Sequence, residues 1–329
     1  MRKRIRKILV TGGAGFIGSE FVRQAVKGGL EVTVIDKLTY AGDLRRLKGI
    51  PLRFHKADIC DKKAIELVIK RRNPDTIVNF AAESHVDRSI LKPQDFIATN
   101  VTGTQVLLDA AKKHAVGLFC QISTDEIYGD IKKGEFTEKS PLNPSSPYAV
   151  SKAAADLLVS SYIRTYATPA IIVRPSNNYG PWQYPEKLIP LAILKILRKE
   201  KVPIYAQGKN VREWLYVEDC VRGILQILRK GKSGSAYNLG SGQEMQNIEV
   251  VRLLLKEMNV SQSLIEFVKD RPGHDIRYRL NSDKLRDEIG WRPKVEFKDG
   301  IKYTVKWGVL HKDWLLSKWS GISWLYRKR

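Results

Sequence analysis

At 329 residues the chain is long enough for two domains, or for one large domain with a lobe grafted on. Its 43% hydrophobic and 28% charged residues exclude wholesale disorder, and three scattered cysteines (Cys60, Cys120, Cys220) exclude a disulfide scaffold and a structural zinc site. The formal charge of +22 attracts anions, yet it reads first as a solvated basic surface with no dedicated nucleic-acid partner.

The basic stretch 1–7 imitates the start of a secretory leader, but Ile8, Leu9 and Val10 run straight into a glycine string. No run of about 18 apolar residues follows anywhere, so the expected location is the cytoplasm. Short apolar, β-branched runs predict strands over 7–11, 31–36, 52–56, 76–80, 117–123 and 170–174. Amphipathic stretches between them predict helices over 15–27, 62–71, 95–113 and 148–166. That alternation predicts an α/β fold, a Rossmann-type doubly wound parallel sheet with helices on both faces. Past Pro175 the rhythm changes. A turn-rich loop over 177–185 leads to a helix over 187–198, an irregular stretch, a helix over 217–229 and a strand over 236–239. A first domain over 1–176, with part of 215–242 returning to it, and a smaller α+β lobe over 177–329 are therefore expected.

The first predicted strand ends in Gly12-Gly-Ala-Gly15-Phe-Ile-Gly18, where a helix begins. The tight turn and the close approach of a phosphate both need residues without Cβ, and the helix N-terminus offers free N–H groups to a pyrophosphate. Asp36 closes the second strand, where a carboxylate accepts hydrogen bonds from the adenosine ribose and repels a 2′-phosphate. NAD is therefore expected over NADP, with the neighbouring Lys37 as the counterargument.

Tyr148 and Lys152 stand four apart at the start of a predicted helix, on one face. A nearby ammonium stabilises a phenolate, so Lys152 is expected to lower the Tyr148 pKa and make it a base for a sugar hydroxyl. Ser123-Thr124-Asp125-Glu126 follows an apolar strand, at the carboxyl edge of the sheet where ligands bind. Adjacent carboxylates repel, which favours one protonated and one ionised: an acid and a base side by side.

Gly12–Gly18, Thr124-Asp-Glu126 and Tyr148-x-x-x-Lys152 together resemble the extended short-chain dehydrogenase/reductases, and within them the nucleoside-diphosphoglucose 4,6-dehydratases. Supporting strings are Asp36-Lys-Leu-Thr-Tyr-Ala-Gly42, the stretch 81–89, Asn177-Asn-Tyr-Gly-Pro181, Pro185-Glu-Lys-Leu-Ile-Pro190 and Asp270-Arg-Pro-Gly-His-Asp275, so the resemblance spans residues 6–310. It implies that NAD contacts Gly12, Gly15, Phe16, Ile17, Gly18, Asp36, Lys37, Leu38, Thr39, Asp58, Ile59, Phe80, Ala81, Ala82, Glu83, Ser84, Thr99, Tyr148, Lys152 and Asn178. It implies that a nucleotide-sugar contacts Ser84, Thr124, Asn177, Lys187, Leu188, Pro203, Tyr205, Arg212, Asn247, Asp270, Arg271, Pro272, Gly273 and His274. Arginine suits a diphosphate through bidentate donation, in keeping with Arg212 and Arg271. No metal is implied.

The implied chemistry oxidises C4 with Tyr148 as base, Thr124 holding the oxygen and Lys152 tuning Tyr148. Glu126 then removes the C5 proton and Asp125 protonates the departing C6 hydroxyl. The substrate the resemblance implies is dTDP-glucose, with a UDP-sugar as the alternative, for the nucleotide lobe departs from the family's pattern at Ala206-Gln207, Glu213 and Cys220 and leaves thymine against uracil open. A 4-epimerase or decarboxylase of the same superfamily shares the Tyr/Lys pair, and a non-catalytic nucleotide-binding module is the alternative of another class. A homodimer through helices 95–113 and 148–166 is expected. The tail carries Trp307, Trp314, Trp319 and Trp324 and ends Arg327-Lys-Arg329; it is expected to dock on the parent domain, with an anionic membrane surface as its alternative.

Overall fold

Aliphatic and β-branched runs form the strands of the computed structural model, which describes residues 5–270 and 272–326. In chain order the first half comprises β1 (Lys7–Thr11), α1 (Phe16–Lys27), β2 (Glu31–Asp36), β3 (Arg53–Lys56), α2 (Lys62–Arg72), β4 (Thr76–Asn79), α3 (Val86–Leu91), α4 (Pro93–Phe96), α5 (Gly103–Lys113), β5 (Leu118–Ile122), α6 (Pro147–Tyr166) and β6 (Ala170–Pro175). The second half runs β7 (Asn177–Tyr179), α7 (Leu188–Leu197), β8 (Val202–Tyr205), β9 (Val211–Tyr216), α8 (Val217–Lys230), β10 (Ala236–Leu239), β11 (Glu244–Gln246), α9 (Asn247–Glu257) and β12 (Ile265–Val268). Four helices follow: α10 (Asp283–Ile289), α11 (Phe297–Leu310), α12 (Lys312–Ser317) and α13 (Trp319–Ile322).

Seven parallel strands form one sheet in the order β10-β6-β5-β4-β1-β2-β3. The chain works outward from β1 to β3 and then returns to place β4 beside β1, so a crevice opens at the carboxyl ends of those strands. A buried polar stitch crosses the sheet there: the Thr11 hydroxyl donates to Asn79 Oδ1 (2.6 Å), and Asn79 Nδ2 donates to Gln121 Oε1 (2.9 Å). One apolar core lies between the sheet and α1 and α8, and another fills the α2, α5 and α6 face. Leu285, Ile289 and Trp291, on and just after α10, also belong to the first of these cores.

The stretch predicted as one helix over 95–113 is not one. It divides into α4, a π-helical turn (Ile97–Thr102) and α5. The wide turn swings Asn100 inward, where its amide pairs with both backbone groups of Glu83, at 2.9 and 3.0 Å, so the irregularity is offset by hydrogen bonds. At Gly103 a Cβ would lie 2.4 Å from Ile59, which lets α5 approach the loop carrying Ile59. α6 is regular: Ser146 caps it by accepting from the Ala149 N–H, Pro147 opens it, and left-handed Ala167 (φ +52) ends it.

The stretch expected to be irregular before residue 217 contains β8 and β9. β8 has only four residues with Pro203 among them, and β9 carries the buried Arg212 and Glu213, so both read as polar turns in the sequence. β7, β9 and β11 form a three-stranded sheet, β8 pairs with β12, and α7, α9 and α11 pack on them in a third core. Trp314 and Ile322 of the tail are buried in that core, and the Trp319 ring lies against Lys195 and Arg198. Arg327 to Arg329 lie outside the described residues. Among the described residues no helix is long and apolar enough to cross a membrane.

Candidate active site

The crevice holds a cavity of about 390 Å³, joined to a smaller one of about 100 Å³ through shared walls at Gly12, Gly15, Phe80 and Ala82. The smaller cavity is walled by Asp36, Lys37, Thr39, Asp58, Ile59, Ala81, Glu83 and Thr99. The larger one is walled on the sheet side by Phe16, Ile17, Gly18, Ser84, Thr124, Asp125, Glu126, Tyr148 and Lys152. Asn177, Asn178, Lys187, Leu188, Pro203, Tyr205, Arg212, Asn247 and His274 wall it on the other side.

The phosphate turn has room for a dinucleotide. Gly15 caps α1 without a side-chain hydrogen bond, so the first N–H groups of a twelve-residue helix face the cavity. A Cβ at Gly18 would sit 2.3 Å from the Gly12 carbonyl oxygen, so only glycine lets the helix start this close to the strand. Asp36 Oδ2 accepts from the Ala14 N–H (2.9 Å) and Oδ1 from the Leu38 N–H (2.8 Å), which fixes the carboxylate at the end of β2. Lys37 is held by Asp58 at 2.7 Å, so its charge is already paired. A ribose diol fits this corner and a 2′-phosphate does not, which is the donor set of NAD. Leu38 takes a left-handed conformation (φ +58) and does not line the cavity; its backbone N–H serves Asp36 instead.

The five residues singled out for catalysis share one wall. Thr124 caps the short turn Asp125–Tyr128, and its hydroxyl donates to Asp125 Oδ1 (3.2 Å). Asn177 Nδ2 reaches Asp125 Oδ2 at 3.4 Å. Burial, and then the charges of Glu126 and Glu213, push the Asp125 carboxyl well above its ordinary pKa, the direction that favours the proton-carrying form. Burial also brings Lys152 down to about 8, with Asp156 acting the other way. The Lys152 ammonium donates to the Ile122 carbonyl at 2.5 Å. Behind it, Asp156 pairs with Arg174 at 2.9 Å in a buried network that continues to Tyr128.

Lys152 was expected to lower the Tyr148 pKa, and the structure departs from that. Burial and the Glu126 charge push the phenol up from its ordinary value, with the Thr124 hydroxyl opposing them. The ammonium donates to the Ile122 carbonyl, and a further positive charge in the cavity would favour the phenolate beside it.

On the far wall Lys187 Nζ donates to the Ser84 carbonyl (2.8 Å), bridging the lobe to the sheet. Asn247 leaves Oδ1 buried with no hydrogen bond among the described residues, an open acceptor at the start of α9. Asp270, Pro272 and Gly273 do not line the cavity; Asp270 orients His274, whose Nδ1 lies 2.6 Å from its carboxylate. Arg271 lies outside the described residues. Arg212 donates to the carbonyls of Val211, Ile276 and Asp275 and stacks on Tyr278 at 4.4 Å, which fixes its guanidinium at the cavity wall. The departure at Glu213 has a structural reason: its carboxylate accepts from the N–H groups of Gly242 (2.6 Å) and Leu280 (2.9 Å), pinning two loops. Cys220 is buried in the core beneath the sheet, where burial pushes its thiol up to about 12.

Sequence reasoning missed Arg46, His85, Gln183, Tyr184, Glu186 and Tyr278, all of which line the larger cavity. His85 and Glu186 sit inside motif strings already singled out, so position within those strings was an available signal. Arg46 carried none, since its neighbour Arg45 is chemically identical and exposed.

The family model described as GDP-mannose 4,6 dehydratase matches residues 9–304, nearly the whole chain. This protein belongs to that family of extended short-chain dehydrogenase/reductases. Among relatives of the GDP-mannose 4,6-dehydratase family, a dTDP-glucose 4,6-dehydratase of Streptomyces niveus is 46% identical over 318 residues, covering 94% of each chain. One from Escherichia coli is 43% identical over 343 residues, covering 94% of this chain and 95% of its own. The crystal structure of a Streptomyces venezuelae dTDP-glucose 4,6-dehydratase with NAD and TYD bound superposes with a TM-score of 0.91 at 46% identity, covering 94% of this chain and 98% of that one. A Thermus thermophilus UDP-glucose 4-epimerase in complex with NAD superposes at 0.87 with 31% identity, covering 91% and 98%.

Proposed function

We propose that this protein is an NAD-dependent 4,6-dehydratase of dTDP-glucose, yielding the 4-keto-6-deoxy sugar. The observation that carries it is the buried Asp125 beside Glu126, hydrogen-bonded by Thr124 and Asn177 and on one wall with Tyr148. An epimerase needs only the tyrosine base, whereas removing water from C5 and C6 needs an acid and a base together. The same carboxylate pair weighs against a non-catalytic module, which has no use for it. Dehydratase relatives with dTDP-glucose in their names support the thymine nucleotide over uracil.

Bound NAD⁺ supplies the acceptor for the C4 hydride, returns that hydride to C6, and brings a cationic ring into the cavity. Tyr148 takes the C4 hydroxyl proton, while Thr124 hydrogen-bonds the same oxygen. The resulting 4-ketone acidifies the C5 proton, which Glu126 removes. Asp125 gives its proton to the C6 hydroxyl, which leaves as water. Reprotonation at C5 by Glu126 balances the reduction at C6. Gly15, Phe16 and Ile17 hold the pyrophosphate, Asp36 the adenosine ribose, and Lys187 and Arg212 face the sugar nucleotide.

Incubation of the purified protein with dTDP-glucose should produce a 4-keto sugar without net consumption of NAD⁺. A 4-epimer would favour the epimerase reading, no product with tight nucleotide binding the binding module, and turnover of UDP-glucose alone the uracil nucleotide.

The proposed assembly is a homodimer. Val150 and Leu157 stand two turns apart on one face of α6 and are 45% and 61% exposed, and Ile97, on the π-helical turn that packs against α6, is 46% exposed. An apolar helical face of this kind is covered by a second copy. Light scattering at micromolar concentration should return a dimer, and Leu157→Glu should return a monomer; a wild-type monomer would rule the contact out.

A further inference from the structure

We infer that the C-terminal segment is a lock on the bound dinucleotide, fastened through Asp43; this rests on the reading that NAD⁺ resides in the cavity. Two loops enclose the dinucleotide site, the turn 12–18 and the loop 36–42. Asp43 stands where the second of them ends. Its N–H donates to the Ala14 carbonyl (3.0 Å) in the first, and its carboxylate caps the short turn Leu44–Leu47 by accepting from the Arg45 N–H (3.0 Å).

That cap directs Arg46 inward. Arg46 is only 2% exposed, and its guanidinium donates to the carbonyls of Ala14 (2.8 Å), Ala41 (2.5 Å) and Trp182 (2.8 Å). One buried side chain thus ties together the phosphate turn, the adenosine loop and the loop that follows β7. Ala14 is gripped from both ends, since Asp36 accepts from its N–H.

The tail closes this arrangement from outside. Trp314 Nε1 donates to Asp43 Oδ2 at 2.9 Å across 271 residues of sequence, and Lys318 Nζ lies 2.8 Å from the same oxygen. The Trp314 ring packs edge-on against Trp182 (5.2 Å) and lies 5.3 Å from the Arg46 guanidinium. These donors, with Arg45, hold the Asp43 carboxyl well below the usual carboxylate range despite its burial. Neither Trp314 nor Lys318 lines either cavity, so both are positioning residues. A catalyst that regenerates its cofactor every turnover gains nothing from releasing it, and a fastened loop keeps it in.

The test uses the full-length protein as purified. Bound NAD⁺ is quantified after denaturation, and its loss is followed after transfer into NAD-free buffer, for the parent, Trp314→Phe, Lys318→Gln and Lys318→Arg. Trp314→Phe removes the donor and part of the indole's packing, whereas Lys318→Gln removes the charge and leaves the core untouched, so the two together separate the lock from a packing defect. Both Trp314→Phe and Lys318→Gln should lose NAD⁺ roughly tenfold faster or more, the scale of one charge-assisted hydrogen bond. Their activity should become dependent on added NAD⁺, with kcat restored at saturation and the KM for the nucleotide-sugar unchanged. Lys318→Arg should retain NAD⁺ as the parent does. Release at the parent's rate, or lost activity that added NAD⁺ does not restore, would overturn the lock. A parent that carries no NAD⁺ and binds none when it is added would overturn the cofactor reading beneath it, an outcome visible before any variant is compared.

Discussion

Asp125→Asn should lower kcat by roughly 10²–10⁴-fold, the contribution of a positioned general acid. The amide preserves shape and the hydrogen bond from Asn177 but has no carboxylic proton to give the C6 oxygen. Oxidation at C4 requires only Tyr148 and the cofactor, so single-turnover absorbance should show reduced dinucleotide forming and persisting. The pH dependence carries its own sign. Burial and the charges of Glu126 and Glu213 raise the Asp125 pKa, so the acid is present below that value and lost as pH rises through it. The wild-type rate should therefore fall on the alkaline side, and the variant should lack that limb. Stability runs the other way. The folded protein holds a proton that the unfolded chain surrenders at its lower, ordinary pKa, so Asp125 costs stability at neutral pH and the asparagine variant should melt no lower than the parent. A variant that turns over at the wild-type rate would remove Asp125 from the acid role.

Legibility in the sequence followed the distance over which each feature is decided. β1, the glycine turn and α1 form a continuous local pattern, and the side-chain spacing of Tyr148 and Lys152 belongs to one helix, so both could be read from neighbours alone. Whether Asp125 or Glu126 keeps the proton could not, because Glu213 on β9 and the depth of burial help decide it. Arg46 and Arg45 are indistinguishable as letters; the carbonyls that take the Arg46 guanidinium inward belong to distant turns, Ala14 at 32 residues and Trp182 at 136 residues away. Asn100 looked like a polar residue in an amphipathic helix because a π-helical turn leaves no periodic trace, yet its amide organises the Glu83 loop. The Lys152 expectation failed for a related reason. Four-residue spacing places two side chains on one face, but the Ile122 carbonyl on β5 decides where the ammonium points.

Glu126→Gln separates the base from the acid. Glutamine cannot accept the C5 proton, so exchange of the C5 hydrogen with deuterated solvent should disappear, while Tyr148-dependent oxidation at C4 remains. The loss in kcat should again be roughly 10²–10⁴-fold, from a different step. Removing this charge also acts on its neighbours, since Glu126 is the leading charge raising both Asp125 and Tyr148. In the variant the phenol should titrate lower than in the parent, and C4 oxidation in a single turnover should reach its plateau rate at lower pH. The pH shift reports the lost charge, and the loss of C5 exchange is what distinguishes a base from a residue that merely carries charge or fills space. Asp125→Asn, by contrast, should still exchange C5 hydrogen, because its 4-ketone forms and Glu126 is intact. Free C5 exchange by Glu126→Gln would assign the base elsewhere, and loss of exchange in both variants would mean that proton removal and water loss occur in one concerted step.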